Sequence, residues 1–167
     1  MKSPTQSAKR RLVTAILLTM FGVLMYISQV IMASLPNIEI VSLVIILITR
    51  KFGYKALLSV YVFVGLEILT YGISLWVINY LYVWAILVLM VLCFRKIDNS
   101  YFYAIISSIY GLLFGTLCSI PYFAIGGVSM GVSYIIGGIG FDFAHCIGNF
   151  VLLVILYKPL TKIIEKI

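Results

Sequence analysis

Charge is what this 167-residue chain has least of: five acidic residues, one histidine, and 10% charged residues in all. A soluble domain carries about a quarter charged residues, so water is not the solvent of most of this surface. The shortage extends to reactive groups. No phosphate-binding G-x-x-x-x-G-K-[ST] loop, no H-E-x-x-H and no nucleophile elbow occurs, so ATP hydrolysis and zinc hydrolysis both lack their usual apparatus. The three cysteines, Cys93, Cys118 and Cys146, are single and far apart, which indicates neither a disulfide framework nor a thiolate metal site. They are expected to be small buried side chains.

What is present is apolar: 63% hydrophobic residues and a mean hydropathy of +1.18. The twelve basic residues fall into four clusters: Lys2 with Lys9, Arg10 and Arg11; Arg50, Lys51 and Lys55; Arg95 and Lys96; and Lys158, Lys162 and Lys166. The breaks near 33–38, 72–79 and 122–133 contain none. Cytoplasmic flanks retain Lys and Arg during insertion, so the pattern predicts an all-α cell-membrane protein with six spans and both termini inside. The net charge of +7 is then explained by topology and anionic headgroups rather than by nucleic acid.

At about 20 residues per crossing, six spans use most of the length and leave a single integral membrane domain. The spans are expected at about 12–33, 38–52, 56–72, 77–94, 101–120 and 141–157. The first is too long, and lacks a small-residue cleavage site, to read as a signal peptide. Asn37 is placed to cap the second, which has only a short apolar core before Arg50 and needs snorkelling flanks or a thinned bilayer. Pro121 kinks or ends the fifth. Glycines 126, 127, 131, 137, 138 and 140 favour an outer loop with one short helix ahead of span six. Ala15-x-x-x-Thr19, Gly111-x-x-x-Gly115 and Ala144-x-x-x-Gly148 are candidate small-residue interfaces.

Asp98 and Glu165 lie in cytoplasmic flanks, whereas Glu39, Glu67 and Asp142 all lie toward the outer face without a basic neighbour. A charge at the centre of a membrane costs at least about 2.5–3.5 kcal/mol, so ligand, water or protonation must compensate. Glu39 and Asp142 have a purely structural alternative, since each opens a helix and gains from its dipole. Asp142, His145 and Asn149 fall within about a 60° arc at about 100° per residue, forming one polar face. Tyr71, Trp76, Tyr80, Trp84, Tyr122 and Tyr134 fit an interfacial belt or a pocket wall. Acidic groups in an aromatic wall suit a flat heterocycle, especially a cationic one.

The Arg-rich flank leading into Ala15-x-x-x-Thr19, the short span after Pro36-Asn37-Ile38-Glu39, and Gly138-Ile139-Gly140-Phe141-Asp142-Phe143-Ala144-His145 through Asn149 together resemble the substrate-binding S components of energy-coupling factor (ECF) transporters. The resemblance covers nearly the whole chain. It implies a non-enzymatic subunit that captures a vitamin or vitamin precursor at the outer face, for uptake by a transmembrane coupling protein and two cytoplasmic ATPases. ATP is then used by those partners, and this chain needs no cofactor or metal. The substrate-binding residues implied are Glu39, Glu67, Asn79, Trp84, Asp142, His145 and Asn149. Ala15 and Thr19 are implied for docking, Thr19 replacing the second alanine of the family's Ala-x-x-x-Ala surface. The histidine motif of the nickel and cobalt members is missing, which favours an organic ligand such as a thiamine-related pyrimidine and leaves cobalamin open. Two alternatives remain: a membrane assembly protein whose polar groups set helix register, and an intramembrane enzyme with Asp142 and His145 as an acid–base pair.

Overall fold

Where no water is available, each backbone N–H and C=O must find its partner within its own segment, and helix follows. A computed structural model describes residues 4–35 and 38–166. Among them are α1 (Pro4–Ile31), α2 (Val41–Phe52), a 3-10 turn (Gly53–Lys55), α3 (Ala56–Tyr71), α4 (Leu75–Cys93), α5 (Ser100–Cys118) and α6 (Ile120–Lys166), with no strand. Five helical stretches are long and apolar enough to cross a membrane, α2 and α3 together forming one of them.

Side-chain contacts fix the directions. Gln29 meets Glu67 and Ser59 meets Leu18, so α1 and α3 run parallel. His145 meets Glu39, Asn149 meets Ser42 and Arg50 meets Tyr157, so α2 runs parallel to α6. Asn79 reaches Cys118 and Tyr110 reaches Val83, setting α4 antiparallel to α5. Successive helices therefore alternate in direction. The described basic residues gather at the end where α2, α4 and α6 finish.

The shortest helix is the centre of the bundle. Every residue from Val41 to Thr49 is buried, including polar Ser42 and Thr49. At about 1.5 Å per residue, α2 is roughly 18 Å long, well short of the ~30 Å hydrocarbon core. Its neighbours cover it on all sides, so it has no lipid face to match. Gly53 ends it with φ 67°. The Arg95 guanidinium lies across that glycine and donates to the carbonyls of Arg50 and Lys51, both at 2.7 Å, satisfying carbonyls that a helix end leaves unpaired.

The glycine-rich segment differs from the sequence expectation. Residues 126–140, expected as a loop before a last span at 141–157, are instead helical within α6, and only Gly127 (φ 67°) leaves helical geometry. Gly127 reverses the chain. The short arm 120–126 folds onto the long one, Tyr122 stacking on Tyr134 with centroids 4.1 Å apart and the Phe123 ring filling the space over Gly131. Pro159, which falls beyond the last span expected at 141–157, lies inside α6. Pro121 is instead the second residue of α6, where a missing N–H costs no helical bond. The expected cap at Asn37 lies outside the described residues. The Glu39 carboxylate takes a capping role, accepting from Ser42 N–H at 2.8 Å.

Two of the proposed small-residue positions are interfaces. A Cβ on Gly111 would sit 2.9 Å from the His145 backbone, and one on Gly115 would sit 2.5 Å from Asp142 Oδ2. Nothing lies within 4 Å of such a Cβ at Gly137, Gly138 or Gly140. Gly115→Ala is therefore expected to destabilise the fold by about 1–3 kcal/mol through overpacking, while Gly138→Ala is neutral or stabilising by up to about 1 kcal/mol. Melting of the purified variants in detergent separates the two.

Candidate functional site

At the end of the bundle opposite the basic clusters, the C-terminus of α1, the start of α2 and the adjoining ends of α3 and α4 enclose a cavity of about 280 Å³. This approaches the lower bound of about 300 Å³ typical of small-molecule sites. Residues four apart on a helix share a face, so α4 turns Trp76, Tyr80 and Trp84 toward one side. Their rings meet edge to face at 5.1 and 5.3 Å. Tyr71 extends the ladder at one end, 5.6 Å from Trp76, and Phe114 at the other, 5.5 Å from Trp84. All five line the cavity. Such edge-to-face contacts hold the rings in one row along the cavity.

The opposite wall is polar. Glu39 Oε1 lies 3.2 Å from His145 Nε2, while its Oε2 is held by Ser42 N–H. The His145 ring packs on Phe114, centroids 4.9 Å apart. Gln29 completes the wall: its Nε2 donates to Glu67 Oε1 at 2.9 Å and its Oε1 accepts from Tyr80 OH at 3.4 Å. Trp84 Nε1, His145 Nδ1 and Glu67 Oε2 are buried without a hydrogen-bond partner. Buried polar atoms are normally paired, so three such orphans in or behind one cavity mark a place with unused hydrogen-bonding capacity.

The residues expected at a binding site separate into two groups. Glu39, Trp84 and His145 line the cavity. Glu67 is fully buried behind Gln29. Asp142 accepts from Gly115 N–H at 2.9 Å, and Asn149 donates to the Ser107 carbonyl at 3.2 Å and to Ser42 Oγ at 3.4 Å. Asn79 donates to the Cys118 carbonyl at 3.1 Å and accepts from Tyr82 at 2.8 Å. Asp142, Asn149 and Asn79 thus tie helices together, and of the polar face on α6 only His145 reaches the cavity. Tyr122 and Tyr134 pair with each other and are absent from its wall. Ala15 is half-buried and Thr19 exposed on α1. Thr19 lies in a shallow apolar depression with Leu17, Met20 and Val23.

Sequence reasoning missed Gln29 and Phe114. Gln29 had a signal: it follows Gly22 and Met25 on one face of α1, and Gly22 is where α1 closes onto Ser59 and Val62 of α3. Phe114 had none, being one apolar side chain among many on α5. Among the described residues, no three His, Cys, Asp or Glu side chains converge as a metal site would require. No protein-family model, curated protein or solved structure matches this chain.

Because Asn79 and Asn149 bond between helices rather than in the cavity, Asn79→Ala and Asn149→Ala are expected to cost stability. The scale is about 0.6 kcal/mol and at most about 1.7 kcal/mol, the range measured for interhelical hydrogen bonds in membrane proteins. Lowered melting temperatures with an unchanged tryptophan emission maximum would match this assignment.

Proposed function

We propose that this chain is the substrate-capturing S component of an ECF-type transporter, spanning the membrane six times with both termini in the cytoplasm. The cavity between Glu39, His145 and the Trp76–Tyr80–Trp84 ladder opens toward the outer face in this reading. The supporting observation is the pairing of an aromatic wall with a carboxylate wall at the end remote from every described basic residue. Alternating helix directions and the charge asymmetry support the orientation. The guest that fits is a small organic vitamin or precursor. Its flat ring would lie against the aromatic ladder, with N–H donors or positive charge facing Glu39 and the Gln29 oxygen.

Energy comes from elsewhere in this proposal, through a coupling protein and two cytoplasmic ATPases that contact this subunit. The half-buried Ala15 and exposed Thr19 on α1 suit such a contact, because small side chains let another helix approach closely. A second reading, an assembly protein without a small ligand, draws on the way Asn79, Asp142 and Asn149 are consumed in helix-to-helix bonds. It gives no role to the orphaned nitrogens of Trp84 and His145.

Native mass spectrometry of the tagged chain, purified gently from rich medium, is expected to show a discrete bound mass. Glu39→Gln should weaken rebinding of that compound by about tenfold or more, the scale for a hydrogen bond to a charged group, without lowering the melting temperature to match. A bare chain that binds none of the common vitamins, in titrations followed by tryptophan fluorescence, would defeat the proposal and leave the assembly reading.

A further inference from the structure

The basic end of the bundle contains a second organised site, built on Arg50 and Arg95. Arg50 is clamped. Its guanidinium bonds Tyr157 OH and Asp98 Oδ1, the latter at 2.9 Å, and lies over the rings of Tyr103 and Tyr157 at 5.1 and 5.5 Å. Those two rings stack on one another with centroids 5.6 Å apart. Arg95 is held equally firmly by the carbonyls that end α2. Both guanidinium groups are therefore fixed before any ligand arrives, which spares a ligand the cost of ordering them.

The charges around these groups do not balance. Arg50, Lys51, Arg95 and Lys96 line two adjoining cavities that share Arg50, whereas only Glu165 lines them and only Asp98 pairs with Arg50. Four cations thus face two carboxylates. The Asp98 side chain is 83% exposed, and an exposed pair of this kind contributes only about 0–1 kcal/mol. A stronger anion can displace it. Arg50 Nε and Thr161 Oγ1, both on lining residues, are buried without a partner. The larger cavity, about 630 Å³, combines Arg50, Arg95 and Lys96 with apolar Leu92, Phe94 and Ile97. Fixed guanidinium groups are suited to phosphate oxygens, and the apolar lining suits what a phosphodiester in a membrane carries.

The geometry points to a phosphate-binding site between Arg50, Arg95 and Lys96, occupied by the headgroup of an anionic phospholipid that replaces Asp98 on Arg50. The site lies at the helix ends that the charge pattern assigns to the membrane surface, where basic pockets between helices bind such headgroups. It does not depend on what the cavity at the other end captures.

Native mass spectrometry of the purified full chain, given equal amounts of phosphatidylglycerol and phosphatidylcholine in detergent, tests this. The wild-type chain is expected to retain phosphatidylglycerol selectively. Arg50 and Arg95 hold helices together, so the informative variants are at exposed positions. Lys96→Gln should lower retention about fivefold, the factor for one basic residue near an anionic surface, and Asp98→Asn should raise it by removing the competing carboxylate. Displacement of the lipid by millimolar inorganic phosphate would assign the site to the free anion, and persistence would assign it to the headgroup. Equal retention of the two lipids, or weaker retention in Asp98→Asn, would overturn the proposal.

Discussion

The fold depends on burying a helix too short to face lipid. Among the described residues α2, at 12 residues, is the shortest α-helix and does not reach spanning length by itself. Its nine consecutive buried positions require protein on every side. The other helices are arranged around that requirement: α4 and α6 against its flanks, α1 and α3 as a parallel pair beside it, and α5 behind. Lipid offers no hydrophobic gain for bringing helices together, so the contacts that hold this shell are close packing and polar ties. Gly22 admits α3 to α1, and Gly111 and Gly115 admit α6 to α5.

The polar ties also explain why the cavity lies where it does. Each buried polar group must be satisfied within the bundle or cost stability, and most are: Asp142 by a backbone N–H, Asn149 by α5 and α2, and Asn79 by α5. Toward the end away from the basic residues, the ties no longer close completely. Glu39 links α2 to His145, Gln29 links Glu67 to Tyr80, and three polar atoms remain unpaired around the space between them. Hydrogen bonding is left unfinished around the cavity, as it also is at Arg50 Nε and Thr161 Oγ1 toward the other end.

The two ends of the molecule are chemically different as a consequence of the alternating helix directions. One gathers carboxylates, the Gln29 amide and aromatic rings around a cavity. The other gathers cations around the C-terminal end of α2, where helix carbonyls need donors and Arg95 supplies them. These cations therefore have a structural role, and Arg50 joins α2 to α6 and to the turn before α5.

Much of the architecture was legible in the chain. Long apolar stretches at least a span in length can only be helices outside water, and basic residues recurring at alternate breaks reported that successive helices reverse. Gly111 and Gly115 were readable as a packing surface because their spacing puts them on one face of α5. Other features required the tertiary structure. Nothing in the sequence distinguished a central helix from a strained short span, since both read as a dozen apolar residues before Arg50. The glycines at 126–140 read as a loop because glycine is a helix breaker in water, and only the packed hairpin at Gly127 shows a single reversal. Glu39, His145 and the ring ladder were visible as polar and aromatic residues. Their meeting, the bonding of Asp142, Asn79 and Asn149 away from it, and the part taken by Gln29 were decided by contacts between helices, because periodicity specifies a face of one helix and not which helix lies opposite.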